Sequence, residues 1–388
     1  MKNLSKLIIL SLLAVILLVS NQNFVSRVNA QKLDNVSCKS YVVMDSSGRI
    51  LNEKNANEKY EVASICKLMT TLITLEKIEA GELSLDDKFV ASEYACSAEG
   101  SQAFLDAGSE YLVEDLLKSV IVASANDSAI VLAENIGGSE DLFVNIMNEK
   151  ASKLGMNNTL YANSTGLSGK NQYSTAQDTA IILNRVSMYE IYQNDCKIWM
   201  DSLIHPSGRE TELVNTNRLI KYYPYCQTGK TGFTDEAGYC LSSTSVKDDL
   251  KLTCVVLGCP TSADRFADSV ALYNETYANY KSQKVLDKNM PIDNTMEIVR
   301  GRKSSIEVLP SQDYNITLRR GGDEVVEIKY EFESKLSAPI SLGDVVGKAL
   351  IVLDGEVIED IDLVANENIE RETYRDILDK IANNFALF

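Results

Sequence analysis

A chain of 388 residues is long for one ordinary domain, and its 45% hydrophobic content is that of a globular protein able to bury more than one core. The formal charge of −17, with no block of five or six like charges, makes nucleic acid a poor partner and says little about substrate. One histidine, His205, is too few for most zinc-peptidase sites; read as a surface residue of the turn-like HPSGRE, it leaves a Ser-His-Asp triad without its base.

Residues 1–30 open with Lys2 and Lys6, continue as the uncharged LIILSLLAVILLVS and end in the small-residue site Val28-Asn29-Ala30. This reads as a secretory signal, with an uncleaved anchor as the alternative. Its removal makes the chain three units more negative. Residues 40–51 (SYVVMDSSGRIL) alternate as a strand entering a hairpin. From 64 to about 80, Leu68, Met69, Leu72, Ile73 and Ile78 recur at helical spacing, and residues 111–136, 139–154 and 175–186 also read as helices. After Tyr222 come the strands CQTGKTGFT, GYCLSSTSV and LTCVVLG, and 263–280 returns to helical periodicity. Strand, helices, strands and helix make an α/β domain over 31–280, with a largely antiparallel sheet whose first and last elements meet. Residues 285–365 are short alternating segments split by Gly, Asp and Pro, a small all-β domain. Residues 366–388 place Tyr374, Ile377, Leu378, Ile381, Phe385 and Phe388 on one face of an amphipathic helix. The eight cysteines, Cys38, Cys66, Cys96, Cys196, Cys226, Cys240, Cys254 and Cys259, include no C-x-x-C and read as small buried hydrophobes.

Chemistry concentrates in VASICKLMT. Residues three apart in a helix sit about 60° from each other and residues two apart about 200°, so Ser64 and Lys67 share a face and Cys66 does not. A neutral lysine can deprotonate a serine, which requires Lys67 to titrate about three units below its ordinary value. S-x-x-K alone is weak, but Ser124-Ala125-Asn126 in VIVASANDSA and Lys230-Thr231-Gly232 in TGKTGFTD accompany it in order. Ser124 offers a hydroxyl for proton relay and Asn126 an amide for a substrate carbonyl. Lys230 is a cation, Thr231 a hydroxyl, and Gly232 gives a backbone room to approach the strand edge.

With ASICKLMT, SANDSAIVLAENIGG, FVNIMNEKASKLGMNNTLYANSTGL, YSTAQD, NTNRL and GKTGFTDEAGYCL, residues 38–280 resemble the serine-type D-alanyl-D-alanine carboxypeptidases, the low-molecular-mass penicillin-binding proteins. GDVVGKALIVLDGEVIEDIDLV is similar to their β-rich C-terminal domain. The resemblance implies a β-lactamase/transpeptidase-like fold with an antiparallel sheet and helical subdomain, followed by an all-β domain. It implies Ser64 as nucleophile, Lys67 as base, Ser124 as proton relay and Asn126 as a contact to the substrate amide. Lys230, Thr231 and Arg265 would face the terminal carboxylate, with the Ser64 and Phe233 N–H groups as the oxyanion hole. The implied substrate is a peptidoglycan stem peptide ending in D-Ala-D-Ala, with β-lactams as covalent inhibitors, no cofactor or metal, and a location in the wall or on the outer membrane face. The chain departs from the family at Val62, Cys66 and Asn171-Gln172, the last two positions usually being glycine and histidine.

Three rival readings stand beside it: a β-lactamase, through the E-x-x-x-N of Glu190 and Asn194; a non-catalytic wall-binding protein; and thiol chemistry at Cys66. The C-terminal helix is expected to make a weak peripheral membrane contact, since Glu367, Glu370, Glu372, Asp376 and Asp379 outnumber Arg371, Arg375 and Lys380.

Overall fold

The structure, a computed structural model, describes residues 36–168, 171–292, 295–332 and 336–378. The expected signal peptide lies outside these. Two compact units divide the chain, one of residues up to 247 with Lys251–Thr276, the other of 248–250 and residues from Tyr277 onward.

The first unit is α/β. Its main sheet joins β1 (Ser40–Asp45), β2 (Ile50–Lys54), β7 (Cys226–Thr234), β8 (Gly238–Lys247) and β9 (Leu250–Cys259) in the antiparallel order β2-β1-β9-β8-β7. First and last strands therefore meet, Ser40 against Leu257, and β7 is left at an edge. Two hairpin ladders, β3 (Lys88–Val90) with β4 (Glu110–Leu112) and β5 (Met200–Ile204) with β6 (Glu210–Val214), lie outside that sheet.

Helix α1 (Lys67–Glu79) follows a 3-10 turn over Ala63–Cys66 and buries Leu68, Met69, Leu72, Ile73 and Leu75, matching the apolar period of its sequence. It is packed with Val42, Phe143, Met147, Leu183 and Val255 in one core. The long helix expected over 111–136 is instead β4, then α2 (Val113–Val122), then α3 (Asn126–Gly137). The break falls at Ser124, whose φ of 63° no helix accommodates, so the serine stands at a corner with Asn126 opening the next helix. Leu116, Val120, Ile130, Leu203 and Leu213 form a second cluster around that corner. Helices α4 (Glu140–Lys153), α5 (Ala176–Val186), α6 (Glu190–Lys197) and α7 (Leu219–Tyr222) follow, and α8 (Ser262–Asn279) closes the unit.

His205 is not a surface residue. Its backbone forms the β5–β6 turn, but the ring is 2% exposed, within 2.8 Å of both the Tyr111 hydroxyl and Thr211 Oγ1. The hairpin folds onto the 104–111 segment, and hydrogen bonds compensate the ring's desolvation.

The second unit is all β. A ladder of β10 (Tyr280–Leu286) with β13 (Tyr314–Arg319) accompanies a sheet of β11 (Thr295–Val299), β12 (Ser305–Pro310), β14 (Val326–Phe332), β15 (Leu336–Ser337), β16 (Val345–Leu353) and β17 (Glu356–Ala365). Ile306, Val308, Ala349, Ile351 and Leu363 alternate inward to form its core. The helix expected over 366–388 begins only at Tyr374, with Thr373 Oγ1 accepting from the Asp376 N–H. Residues before it are extended, because Ile369 is buried in this core and bridges to Ile340. Its last ten positions, 379–388, lie outside the described residues. Among the described residues no helix is long and apolar enough to cross a membrane.

Candidate active site

The three triplets converge at one end of α1. Ala63, at φ 48°, turns the chain so that Ser64 sits in the 3-10 turn and Lys67 opens α1. Lys67 Nζ then lies 2.9 Å from Ser64 Oγ and donates to the Thr165 carbonyl at 2.6 Å. Burial pushes the Lys67 ammonium down to about 7, although Cys66 and Asp127 pull it back up. At about 7 a large share of this amine is neutral at physiological pH, and the neutral form is the one able to take a proton from the hydroxyl it faces.

Ser124, at its left-handed corner, receives a 2.6 Å hydrogen bond from Lys230 Nζ. The two buried lysines feel each other: Lys230 is held well below its ordinary value by burial first, then by the charges of Lys67 and Arg265, with Cys196 opposing. Thr231 Oγ1 donates to Thr216 Oγ1 at 2.7 Å. Asn126 donates through Nδ2 to the Glu99 carbonyl, while its buried Oδ1 has no partner among the described residues. An unpaired buried acceptor is an anchor for an incoming N–H.

Gly232 serves packing within the site. A Cβ there would come within 2.4 Å of the Val62 carbonyl, so the missing side chain lets the Ser64 turn rest against β7. Gly166 does the same from the other side: at φ +82°, its Cβ would meet the Ala63 carbonyl at 1.9 Å. Phe233 is 48% exposed and stacked on Tyr239 with ring centroids 4.3 Å apart. Arg265 donates to the Gly232 carbonyl at 3.1 Å, and its guanidinium lies over the Tyr239 and Phe266 rings; among the described residues its buried Nε has no partner.

Cys66 points away, as its helical offset requires: its thiol contacts the Asn163 carbonyl at 3.3 Å, and burial raises it to about 12. Glu190 and Asn194 lie on α6. Sequence reasoning missed the 162–167 turn that supplies the Thr165 carbonyl. Asn163 Oδ1 accepts from the Thr165 and Gly166 N–H groups, and buried Gln172 accepts from the Ala162 N–H and donates to the Leu167 carbonyl. The Asn163-Ser164-Thr165-Gly166 run, an Asx-type turn signal, was the available clue. Thr216, behind Thr231, carried no signal of its own.

Residues 26–261 match the family D-alanyl-D-alanine carboxypeptidase, and residues 280–371 match the family penicillin-binding protein 5, C-terminal domain. D-alanyl-D-alanine carboxypeptidase DacF of Bacillus subtilis is 34% identical over 353 residues, 90% of each chain. D-alanyl-D-alanine carboxypeptidase DacC of Escherichia coli is 31% identical over 86% of this chain and 85% of its own. Among solved structures, penicillin binding protein 5 from Haemophilus influenzae is similar with a TM-score of 0.70 at 29% identity, covering 88% of this chain and 100% of its own. The peptidoglycan synthesis regulatory factor PBP3 from Streptococcus pneumoniae has a TM-score of 0.75 at 25% identity, covering 87% and 100%.

Proposed function

The chain belongs to the D-alanyl-D-alanine carboxypeptidase family and is a hydrolase of that activity; on that premise we propose that it works through an acyl-enzyme on Ser64. The observation that carries this reading is the 2.9 Å contact between Ser64 Oγ and an amine held to about 7. Ser64 Oγ attacks the carbonyl between the two D-alanines as Lys67 takes its proton. The Ser64 and Phe233 N–H groups receive the oxyanion. When the intermediate collapses, the C–N bond breaks and the leaving amine takes, through Ser124 as Lys230 orients it, the proton that Lys67 had received, which leaves Lys67 neutral again. Water then attacks the ester, and Lys67 serves again as base.

Asn126 Oδ1 is suited to the substrate amide N–H. Lys230, raised again by the arriving carboxylate, and, across the Gly232 backbone, Arg265 supply positive charge for the terminal carboxylate, and the Thr231 hydroxyl can turn from Thr216 to donate to it. An extended peptide can lie along the edge strand β7. The substrate is a peptidoglycan stem peptide ending in D-Ala-D-Ala, and a β-lactam, whose ring carbonyl takes the same place, acylates Ser64. Mass spectrometry of the penicillin adduct tests both chemistry and residue. An adduct on the peptide carrying Ser64, absent in Ser64→Ala, is the expected result; an adduct elsewhere sinks the proposal.

The enzyme acts outside the cytoplasm, where that substrate is. Residues 1–30 fit a signal cut after Ala30, which N-terminal sequencing of exported protein checks. Residues 374–388 would give a peripheral membrane contact; truncation before Tyr374 should move protein to the soluble fraction.

A further inference from the structure

Away from the catalytic groups, the end of the main sheet holds a second reactive pair. Cys38 lies two residues before β1 and Cys259 ends β9, both buried beyond the Ser40–Leu257 pair that closes the ladder. Their sulfurs and the Asp268 carboxylate all lie within 4.8 Å of one another. Asp268, on α8, holds the segment in place: its Oδ2 accepts from the Ser37 N–H, the Ser37 hydroxyl and the Cys38 N–H, each at 2.9 Å. The Cys259 thiol stands 4.0 Å from the same oxygen.

We propose that Cys38 and Cys259 are a disulfide-forming pair that locks the N-terminal strand to the last strand of the catalytic sheet. Their sulfurs lie within 4.8 Å of each other, and the 3.0 Å hydrogen bond from the Lys39 N–H to the Leu257 carbonyl ties the Cys38 segment to the end of β9, which brings the two side chains within reach of an S–S bond of about 2.0 Å. The alternative use of two thiols and a carboxylate, a zinc site, is disfavoured by ligand number: a closed structural zinc takes four ligands, and among the described residues only these three stand together. A disulfide is neutral and leaves the three donors on Asp268 in place.

The oxidant is a small-molecule disulfide such as oxidised glutathione. A thiolate of one cysteine displaces one glutathione thiol to give a mixed disulfide, and the second cysteine displaces the other. The pair loses two protons and two electrons, and the glutathione disulfide is reduced to two thiols. Contact with Cys38 and burial hold the Cys259 thiol well above its ordinary value, so it is a poor nucleophile once covered. With both sulfurs buried in the finished structure, the bridge closes as the chain folds.

The full chain, reduced and refolded in equimolar reduced and oxidised glutathione, is denatured in N-ethylmaleimide and digested. A linked peptide containing Cys38 and Cys259, with the other cysteines alkylated, is expected. The thermal midpoint of the refolded protein should also fall by several degrees on reduction. Cys38→Ser and Cys259→Ser should each keep penicillin labelling and lose both the linked peptide and the reductant sensitivity. Eight alkylated cysteines in protein that still labels with penicillin would overturn the proposal. So would stoichiometric zinc, or a bridge to Cys240 or Cys254, which lie within electrostatic reach of the pair. Only the oxidising surroundings come from the function proposed above. The glutathione buffer supplies those directly, so an absent bridge and a cytoplasmic location are separate results.

Discussion

Lys67 Nζ stands 2.9 Å from Ser64 Oγ one helical turn away, and the same nitrogen donates to the Thr165 carbonyl at 2.6 Å. The amine is thereby aimed at the hydroxyl by a carbonyl that cannot accept a second role as base. Acylation should depend on this amine being neutral. The rate constant for penicillin acylation is expected to rise with pH through about 7, as Lys67 loses its proton. Lys67→Ala should lower it by at least about 10³-fold while a thermal melt still shows a folded protein. A flat profile from pH 5 to pH 9 would rule Lys67 out as base.

The same shift has a consequence for stability. Lys67 is lowered in the folded state from 10.5 to about 7, so between those values the unfolded chain binds the extra proton. Stability from this group should therefore increase as pH rises from about 7 toward 10.5, and below 7 the full burial cost of about 5 kcal/mol applies. Lys67→Met, which removes the amine but keeps the volume, should flatten that part of the stability curve in denaturant titrations at several pH values.

Lys230 provides a separate linkage. Burial and the Lys67 charge hold it well below its ordinary value, and a substrate carboxylate arriving beside it would raise it again. Binding of a D-Ala-D-Ala peptide to the Ser64→Ala protein should therefore take up protons, which calorimetry in buffers of different ionisation enthalpy detects. Lys230→Met should abolish the uptake and raise KM more than it lowers kcat.

Asn126 predicts a loss confined to substrate recognition. With Oδ1 unpaired and Nδ2 tied to the Glu99 carbonyl, Asn126→Asp keeps the acceptor but leaves that carbonyl without its donor, whereas Asn126→Ala removes both. The alanine variant should lose about 10- to 100-fold in kcat/KM for the peptide, equivalent to about 1–3 kcal/mol of lost hydrogen bonding. Equal losses in kcat/KM and in thermal midpoint for both variants would mark a purely structural role.

Gly232 and Gly166 press the Ser64 turn from two sides. Gly232→Ala must displace the Val62 carbonyl, and Gly166→Ala must displace that of Ala63. Each should cost about 1–3 kcal/mol in stability and slow acylation, because the backbone that moves carries Ser64, the proposed nucleophile. Normal acylation in a stable Gly232→Ala protein would show that the contact is not needed.

Much of the site was legible in order and spacing. Ser64 and Lys67 share a face because a helical turn brings residues three apart together, and Cys66 faces away for the same reason. The alternation in 285–365 and the helical period after Lys67 follow from side-chain geometry within a few residues, so local pattern suffices. What the tertiary structure alone decided is long-range. The periodicity through 111–136 was right for burial, yet the chain breaks at Ser124, because meeting Lys230 across more than a hundred residues requires a corner there. His205 looked exposed in a turn, and only the partners Tyr111 and Thr211 bury it. Likewise Ile369 belongs to a β core where its own neighbours spelled a helix. The sequence by itself determined which side chains could do chemistry and which local turns could present them. Folding decided which of them lose water together, and the loss of water is what brings Lys67 down to about 7.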